Sequence, residues 1–244
     1  MCVFLTLRAD RAGIEKRFDA SLVEPEDFGP VYAVSAFEYP PWPVITADKP
    51  QLIQRFHWGL IPSWVRDTQD AGRIKKSTIN ARAETLLEKP SFRQAARSRH
   101  CLVLADGFFE HHESQGKKYP YFIQLKNGEP FAIAGIWEQW TDRETGEMIS
   151  TFSVITTEAN PLLERIHNTR KKMPVILPVQ KEHEWLADGG ENLKQLLRPY
   201  PEESMESWTV SKMISARGGE RDQPEVTEPF FYPELDGTKR LFEL

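Results

Sequence analysis

Apolar residues in this chain fall mostly into short runs with period-two alternation, bounded by Gly, Pro, Asn and Asp, which is the signature of strands joined by turns. Strands are predicted over Cys2–Leu7, Tyr32–Ala36, Val44–Thr46, Leu52–Trp58, Cys101–Leu104, Phe108–His112, Tyr121–Leu125, Phe131–Ile136, Thr151–Thr156 and Met173–Leu177. Helices are fewer and short. Asp10 caps one reaching Phe18, Pro90 opens one to about Arg97, and Asn160-Pro161 opens one to about Ile166. Two more cover Glu182–Leu186 and Asn192–Leu197. Asn127-Gly128 tolerates positive φ at both positions and predicts a tight hairpin between the strands on either side. The proline-rich Tyr39–Pro43 is the best candidate for a mobile segment.

Strands dominate the middle of the chain and do not alternate with helices, so the expected class is α+β rather than a parallel βαβ fold. No repeat or low-complexity tract divides the 244 residues, and one domain spanning 1–244 is expected, with the stretch from about residue 200 peripheral. Hydrophobic residues are 40%, enough for a sizeable core, and no apolar run reaches the length of a bilayer-spanning helix. The N-terminus lacks the pattern of a secretory signal. Only Cys2 and Cys101 occur, which excludes a disulfide scaffold and fits a reducing cytoplasm. A net charge of -5 argues against a general polyanion binder but leaves room for a local basic groove.

Four stretches carry candidate chemistry. Cys2 is either a small buried hydrophobe or a nucleophile. Trimming of Met1 would leave a free α-amine beside its thiol. An α-amine is neutral at pH 7 about several hundred-fold more often than a lysine amine, so it attacks aldehydes readily. The thiol can then close a five-membered thiazolidine onto the imine carbon, aided by its tethered position. In Ser77–Glu84, an extended chain would point Asn80, Arg82 and Glu84 to one face, either as a solvated pair or as a polar cluster in which Arg82 holds an anion and Asn80 orients a substrate. In Asp106–His112, alternation sets Phe108, Glu110 and His112 on one face and Phe109 and His111 on the other. Glu110 is an edge carboxylate or a general acid/base among aromatics. The adjacent histidines diverge on a strand, and no further ligand lies at a sensible spacing, so no metal or other cofactor is expected. His167 is either a helix-end histidine or a proton shuttle, and the run Arg170, Lys171, Lys172 is a solvated turn or a phosphate contact.

Met1-Cys2, Trp58–Trp64, Ile79–Glu84, Ala105–Glu110 and Ile166-His167 with Arg170–Leu177, in this order, resemble the SRAP (SOS response-associated peptidase) family of abasic-site processing proteins. The resemblance implies a single α+β domain of strongly bent, mostly antiparallel sheets forming a barrel-like core with short flanking helices, beside a positively charged cleft. It implies recognition of abasic sites in single-stranded DNA in DNA repair and the SOS response, with Cys2 crosslinking to the ring-opened sugar as a thiazolidine after Met1 is removed. By the same resemblance Asn80 holds the cysteine and sugar, Glu110 serves the amine and the ring-opening proton transfers, and His167 is the acid/base. Arg82 would contact phosphate, joined by Arg170, Lys171 and Lys172, and Trp64 would stack on a base. Autopeptidase activity and some lyase activity are implied too.

The chain departs from the family pattern in three places. Val3-Phe4 stands where Gly-Arg is usual, Tyr32–Ala36 lacks the usual Asn and Pro, and His111 replaces an aromatic. The expected partner is single-stranded DNA carrying abasic sites, bound by a cytoplasmic, nucleoid-associated monomer without membrane contact. Two other readings stand beside this one: a cysteine-dependent peptidase or amidohydrolase using Cys2 and His167, and a non-catalytic single-stranded DNA binder.

Overall fold

Residues 2–216 and 218–235 are described by the computed structural model. In chain order the strands are β1 (Phe4–Leu7), β2 (Ser21–Leu22), β3 (Val31–Ser35), β4 (Pro41–Thr46), β5 (Lys49–Trp58), β6 (Asn80–Arg82), β7 (His100–Ala105), β8 (Gly107–Ser114), β9 (Lys117–Leu125), β10 (Phe131–Thr141), β11 (Met148–Glu158), β12 (Lys172–Pro174), β13 (Ile176–Leu177) and β14 (Met205–Thr209). The helices are α1 (Arg11–Phe18), α2 (Thr68–Ser77), α3 (Ala95–Ser98), α4 (Pro161–Ile166), α5 (Val179–Ala187) and α6 (Leu193–Leu196).

Five strands close a barrel. β7 pairs with β4, β4 with β5, β10 with β7 and β11 with β10, all antiparallel. The parallel pairing of β11 with β5, Thr151 opposite His57 and Phe152 opposite Trp58, shuts the ring. A closed sheet leaves no unpaired edge between its strands. A second sheet runs in the order β14-β9-β8-β1-β3. The result is the α+β class that the strand-rich pattern implies, with the barrel-like core that the family resemblance implies and helices few and short.

The alternation read from sequence decides which residues enter which core. Phe108 packs in the main core with Trp58, Phe152 and Val154, while Phe109 turns to a smaller cluster with Phe122, Val210, Ile214 and Val226. Both faces of the second sheet are thus covered, the outer one by the segment following β14. Asp106 makes the corner between β7 and β8. Its carboxylate accepts from the Arg8 and Ala9 amides at 2.6 and 3.2 Å and from the Thr6 hydroxyl. A side chain at Gly107 would put a Cβ 2.3 Å from the Phe122 ring, so this corner requires glycine. The Asp106-Gly107 pair is therefore structural.

Several local expectations are corrected. Asn127-Gly128 does not join paired strands, because β9 and β10 belong to different sheets. The tight hairpin is between β8 and β9, where Gln115 and Gly116 both take positive φ (50° and 73°) and Ser114 faces Lys117. Tyr39–Pro43 is not a mobile linker. Pro41–Pro43 belong to β4, and the buried Trp42 donates from Nε1 to the Leu104 carbonyl at 2.8 Å. The prolines sit opposite His57 and Arg55, before β4 meets β7 at Val44, so their missing amides break no ladder on that side. The helix expected from Pro90 is confined to Ala95–Ser98, after a series of turns. Helix α2, unpredicted, starts at Asp67, whose side chain accepts from the Asp70 amide at 2.7 Å.

The barrel interior leaves no room at Gly135. A Cβ there would lie 2.7 Å from Val103 Cγ2 and 2.8 Å from Cys101 Sγ, both fully buried. Gly135→Ala should therefore cost about 1–3 kcal/mol of unfolding free energy, read as a lower urea midpoint with unchanged slope. A midpoint equal to that of the parent would show that the barrel wall gives more easily than its packing indicates.

Candidate active site

The residue after Cys2 is tied into the second sheet, since Ala36 N–H donates to the Val3 carbonyl at 2.9 Å. The Cys2 carbonyl is held from the barrel side. Asn80 donates to it from Nδ2 at 2.8 Å. Asn80 stands on β6, which extends the barrel wall by pairing parallel to β11 with Val154 opposite Asn80. Trp58 Nε1 fixes the approach to β6 by donating to the Ile79 carbonyl at 2.8 Å, and Thr78 does so by donating to Leu60 O at 2.7 Å. Asn80 Oδ1 is buried and has no hydrogen-bond partner among the described residues. An unsatisfied buried acceptor costs about 1–3 kcal/mol.

The Cys2 side chain is fully buried. Burial, reinforced by the nearby Glu110 carboxylate, pushes its thiol far above the usual range. Glu110 is itself buried on β8, opposite Tyr121, whose phenol burial pushes up to about 12. His167 follows α4, a helix begun by Asn160, which accepts from the Leu163 amide at 2.8 Å. Its Nδ1 lies 2.8 Å from the Lys172 carbonyl and 3.7 Å from Glu110 Oε2. The shorter contact is a hydrogen bond and the longer is not. A carbonyl only accepts, so Nδ1 carries the proton and donates to Lys172 O. In the neutral ring Nε2 is then the nitrogen that carries no proton.

The turn carrying His167 is clamped to β8 at two points. His112 Nδ1 lies 2.9 Å from the Arg165 carbonyl, and Asn168 both accepts from the Glu113 amide at 3.0 Å and donates to the Glu113 carbonyl at 2.8 Å. Asn168 thus acts as one more residue of sheet beside β8, holding His167 against Glu110. Neither contact is apparent from the sequence.

A polar cavity of about 460 Å³ opens at Asn80, lined by Thr78, Arg82, Thr85, Lys89 and Ser91 among others. Its described lining includes two cations and no carboxylate. A larger cavity of about 730 Å³ is lined by Glu84, Glu88 and Glu158 together with Leu197, Lys194 and Arg198. The first lining suits an anion, and the second carries charges of both signs. Asn80 and Arg82 therefore share a face as expected, but Glu84 leaves it, because the strand ends at Arg82 and the chain turns at Ala83–Thr85. Lys89, which the sequence alone did not single out, enters the cavity from the bend immediately before Pro90.

The profile of the family described as SOS response associated peptidase (SRAP) matches residues 1–217. This chain belongs to the SRAP family. The chain is 36% identical over 233 residues to the abasic site processing protein YoqW of Bacillus subtilis, which covers 93% of this chain and 99% of YoqW. It is 29% identical over 208 residues to the abasic site processing protein HMCES of Pongo abelii, across 73% of this chain and 57% of that relative. A crystal structure of a protein from Bacteroides thetaiotaomicron superposes with TM-score 0.88 at 34% identity, covering 94% of this chain and all of that one.

The remaining expected residues of this SRAP domain are distributed around the centre. Trp64 is 51% exposed on a loop fixed by Ile61 N–H donating to Thr151 Oγ1 at 2.9 Å and by Trp140 Nε1 donating to Val65 O at 2.8 Å. Arg82 and Arg170 are exposed. Lys171, at φ 49°, turns back to Glu164, and Lys172 is paired with Glu84. The basic run is therefore not three free cations. Met1, on whose removal the amine chemistry turns, lies outside the described residues. No group of three or more His, Cys, Asp or Glu suited to a metal occurs among the described residues, and no helix there is long and apolar enough to cross a membrane.

His111 makes a measurable electrostatic prediction. Burial, with the positive charge of Lys118 nearby, pushes it down to about 4. Its reference value in an unfolded chain is about 6.5. As pH falls from 6.5 toward 4 the unfolded chain takes up a proton that the folded chain refuses, so this residue subtracts stability, on the order of 3 kcal/mol by pH 4. His111→Gln should lose less stability than the parent over that window in urea titrations at stepped pH. Parallel curves for the two proteins would contradict the assignment.

Proposed function

We propose that this SRAP protein captures abasic sites in single-stranded DNA through a covalent thiazolidine at Cys2, as part of DNA repair. The observation that carries the reading is the gathering of Cys2, Asn80, Glu110 and His167 around one buried point, with Asn80 Oδ1 buried and without a hydrogen-bond partner among the described residues. The relatives YoqW and HMCES are named as abasic site processing proteins.

The chemistry follows from what each group holds. Removal of Met1 frees the Cys2 α-amine. His167 Nε2 takes the proton of the sugar's anomeric hydroxyl and passes it to the ring oxygen as the C1′–O4′ bond breaks, giving the aldehyde and a 4′-hydroxyl, and Asn80 Oδ1 receives a hydrogen bond from the substrate or the amine. The amine nitrogen attacks the aldehyde carbon, and loss of one water gives the imine. The sulfur then bonds to the imine carbon while its proton passes by way of Glu110 to the nitrogen, closing the ring. The thiol is held protonated by burial and by Glu110, so it is a poor resting nucleophile. That favours attack by the amine first and disfavours a peptidase built on a standing Cys2 thiolate. The same imine can lose the 3′-phosphate by β-elimination, which accounts for lyase activity. Autopeptidase action would cleave the bond preceding Cys2 in the same site. Arg82 and Lys89 contact phosphate in the polar cavity, and Trp64 stacks on a base.

Incubation with a single-stranded oligonucleotide bearing one abasic site should yield an adduct that survives denaturing electrophoresis. The adduct should be absent in Cys2→Ala and form about 10- to 100-fold more slowly in Glu110→Gln and His167→Ala. Intact mass should show that the crosslinking form lacks Met1. An adduct that persists in Cys2→Ala, or that maps to another side chain, would overturn the proposal.

A further inference from the structure

Among the large apolar side chains that remain exposed, Phe37 stands out for where it is held. It is 55% exposed, while its neighbour Ala36 is fully buried. Isolated exposed aromatics are ordinary on protein surfaces, so exposure alone says nothing. Three further features give this one meaning.

The first is its tether. Residues 36–38 form a single tight helical turn. Its first residue donates to the Val3 carbonyl at 2.9 Å, directly beside Cys2. Phe37 follows one Cα step later, about 3.8 Å along the chain. The second is rigidity. Ser35 Oγ accepts from the Phe37 amide at 3.3 Å, and Tyr39 N–H closes the turn on Ala36 O at 3.2 Å in a left-handed conformation at φ 52°. The ring is presented by a fixed turn rather than by a loose loop. The third is continuity with charge. The Lys75 ammonium sits 4.3 Å from the centre of the Tyr39 ring, and both pack on Gly59, where a Cβ would meet Tyr39 Cδ1 at 3.0 Å and the Lys75 carbonyl at 3.1 Å. Lys75 is in the last turn of α2, which leads through Ser77 and Thr78 into the cationic cavity at Asn80. An aromatic face, a cation and an anion-suited cavity are thus linked through contacting segments, the first of them hydrogen-bonded beside Cys2.

We infer that Phe37 is a stacking platform for the unpaired base next to the nucleotide held at Cys2, with Lys75 serving the phosphate between them. Sequence-tolerant single-strand binding combines these two elements, a basic track and aromatic faces for successive bases. The chain carries the apolar Val3 and Phe4 immediately after Cys2, so at this edge the strand gains its hold from stacking rather than from a basic side chain on β1. The inference rests on the reading of the site as one for single-stranded DNA.

The test uses oligonucleotides with a central tetrahydrofuran, a stable abasic analogue, and 2-aminopurine on its 5′ or its 3′ side. With the parent protein, 2-aminopurine on one of the two sides should be quenched on binding. Phe37→Ala should abolish that quenching and raise Kd about tenfold, and Phe37→Trp should restore both. The melting temperatures of the variants establish that they are folded. If the parent crosslinks an abasic strand while Phe37→Ala binds the analogue as tightly and with the same fluorescence, the platform is overturned and the crosslinking reading stands. If the parent binds no single-stranded DNA, the functional reading falls and the platform falls with it.

Discussion

The site depends on one strand, β11, and on the contacts it makes with β5, β6 and β12. Its first half closes the barrel by pairing with β5 at Thr151 and Phe152, and Gly59 N–H continues that contact by donating to the Phe152 carbonyl at 2.9 Å. Its second half receives β6 at Val154–Thr156, which fixes Asn80, and then β12 at Thr156–Glu158, which fixes the Lys172 carbonyl. Asn80 in turn grips the Cys2 backbone, and Lys172 O orients His167. A slip of one residue along β11 would turn these side chains to the opposite face. The core resists such a slip, because β11 is buried on both faces and exchanging Phe152 and Val154 with Ser153 and Ile155 would force both to repack.

This explains what was legible in the sequence and what was not. The alternation that separates Phe108 and Glu110 from Phe109 is a local property of one strand and could be read directly. The identities of Cys2, Asn80, Glu110 and His167 were accessible through the order of their motifs. Their assembly was not, because each contact joins residues far apart in the chain: Asn80 to Cys2, His167 to Glu110, Asn168 to Glu113. The hairpin expected at Asn127-Gly128 failed for a related reason. The dipeptide does turn the chain, with Gly128 at φ 68° and its amide on Leu125 O, but tertiary packing sends the following strand into the other sheet. Helix α2 escaped notice because its only buried residue is Ala71, so it offers almost no apolar stripe to read.

Glu84 shows how a period-two argument ends where its strand ends. Placed on the Asn80 face, it would put a carboxylate among Arg82 and the hydroxyls of the polar cavity and cancel part of the field that suits an anion. The turn at Ala83 carries it instead to Lys172. Burial acts against ionisation there, yet the Lys172 hydrogen bond and the charge of Arg82 hold the Glu84 carboxyl below its usual range. The pair neutralises one cation of the basic run and at the same time removes an acid from the cleft.

The acidic balance of the whole chain and a cationic cleft are compatible because screening is short-ranged. Exposed charges separated by more than about 8–10 Å interact weakly at physiological salt. Several acids are paired, Glu164 with Lys171, Glu182 with Arg17 and Glu84 with Lys172, while Glu88 and Glu158 line the other cavity. What a strand of DNA meets at Asn80 is therefore set by Arg82, Lys89 and the hydroxyls around them rather than by the net charge. Few cations line that surface, so charge alone would hold a strand weakly. Affinity then has to come from contacts that salt does not weaken, and the exposed rings of Trp64 and Phe37, each fixed by a hydrogen-bonded turn, are of the kind that supplies them.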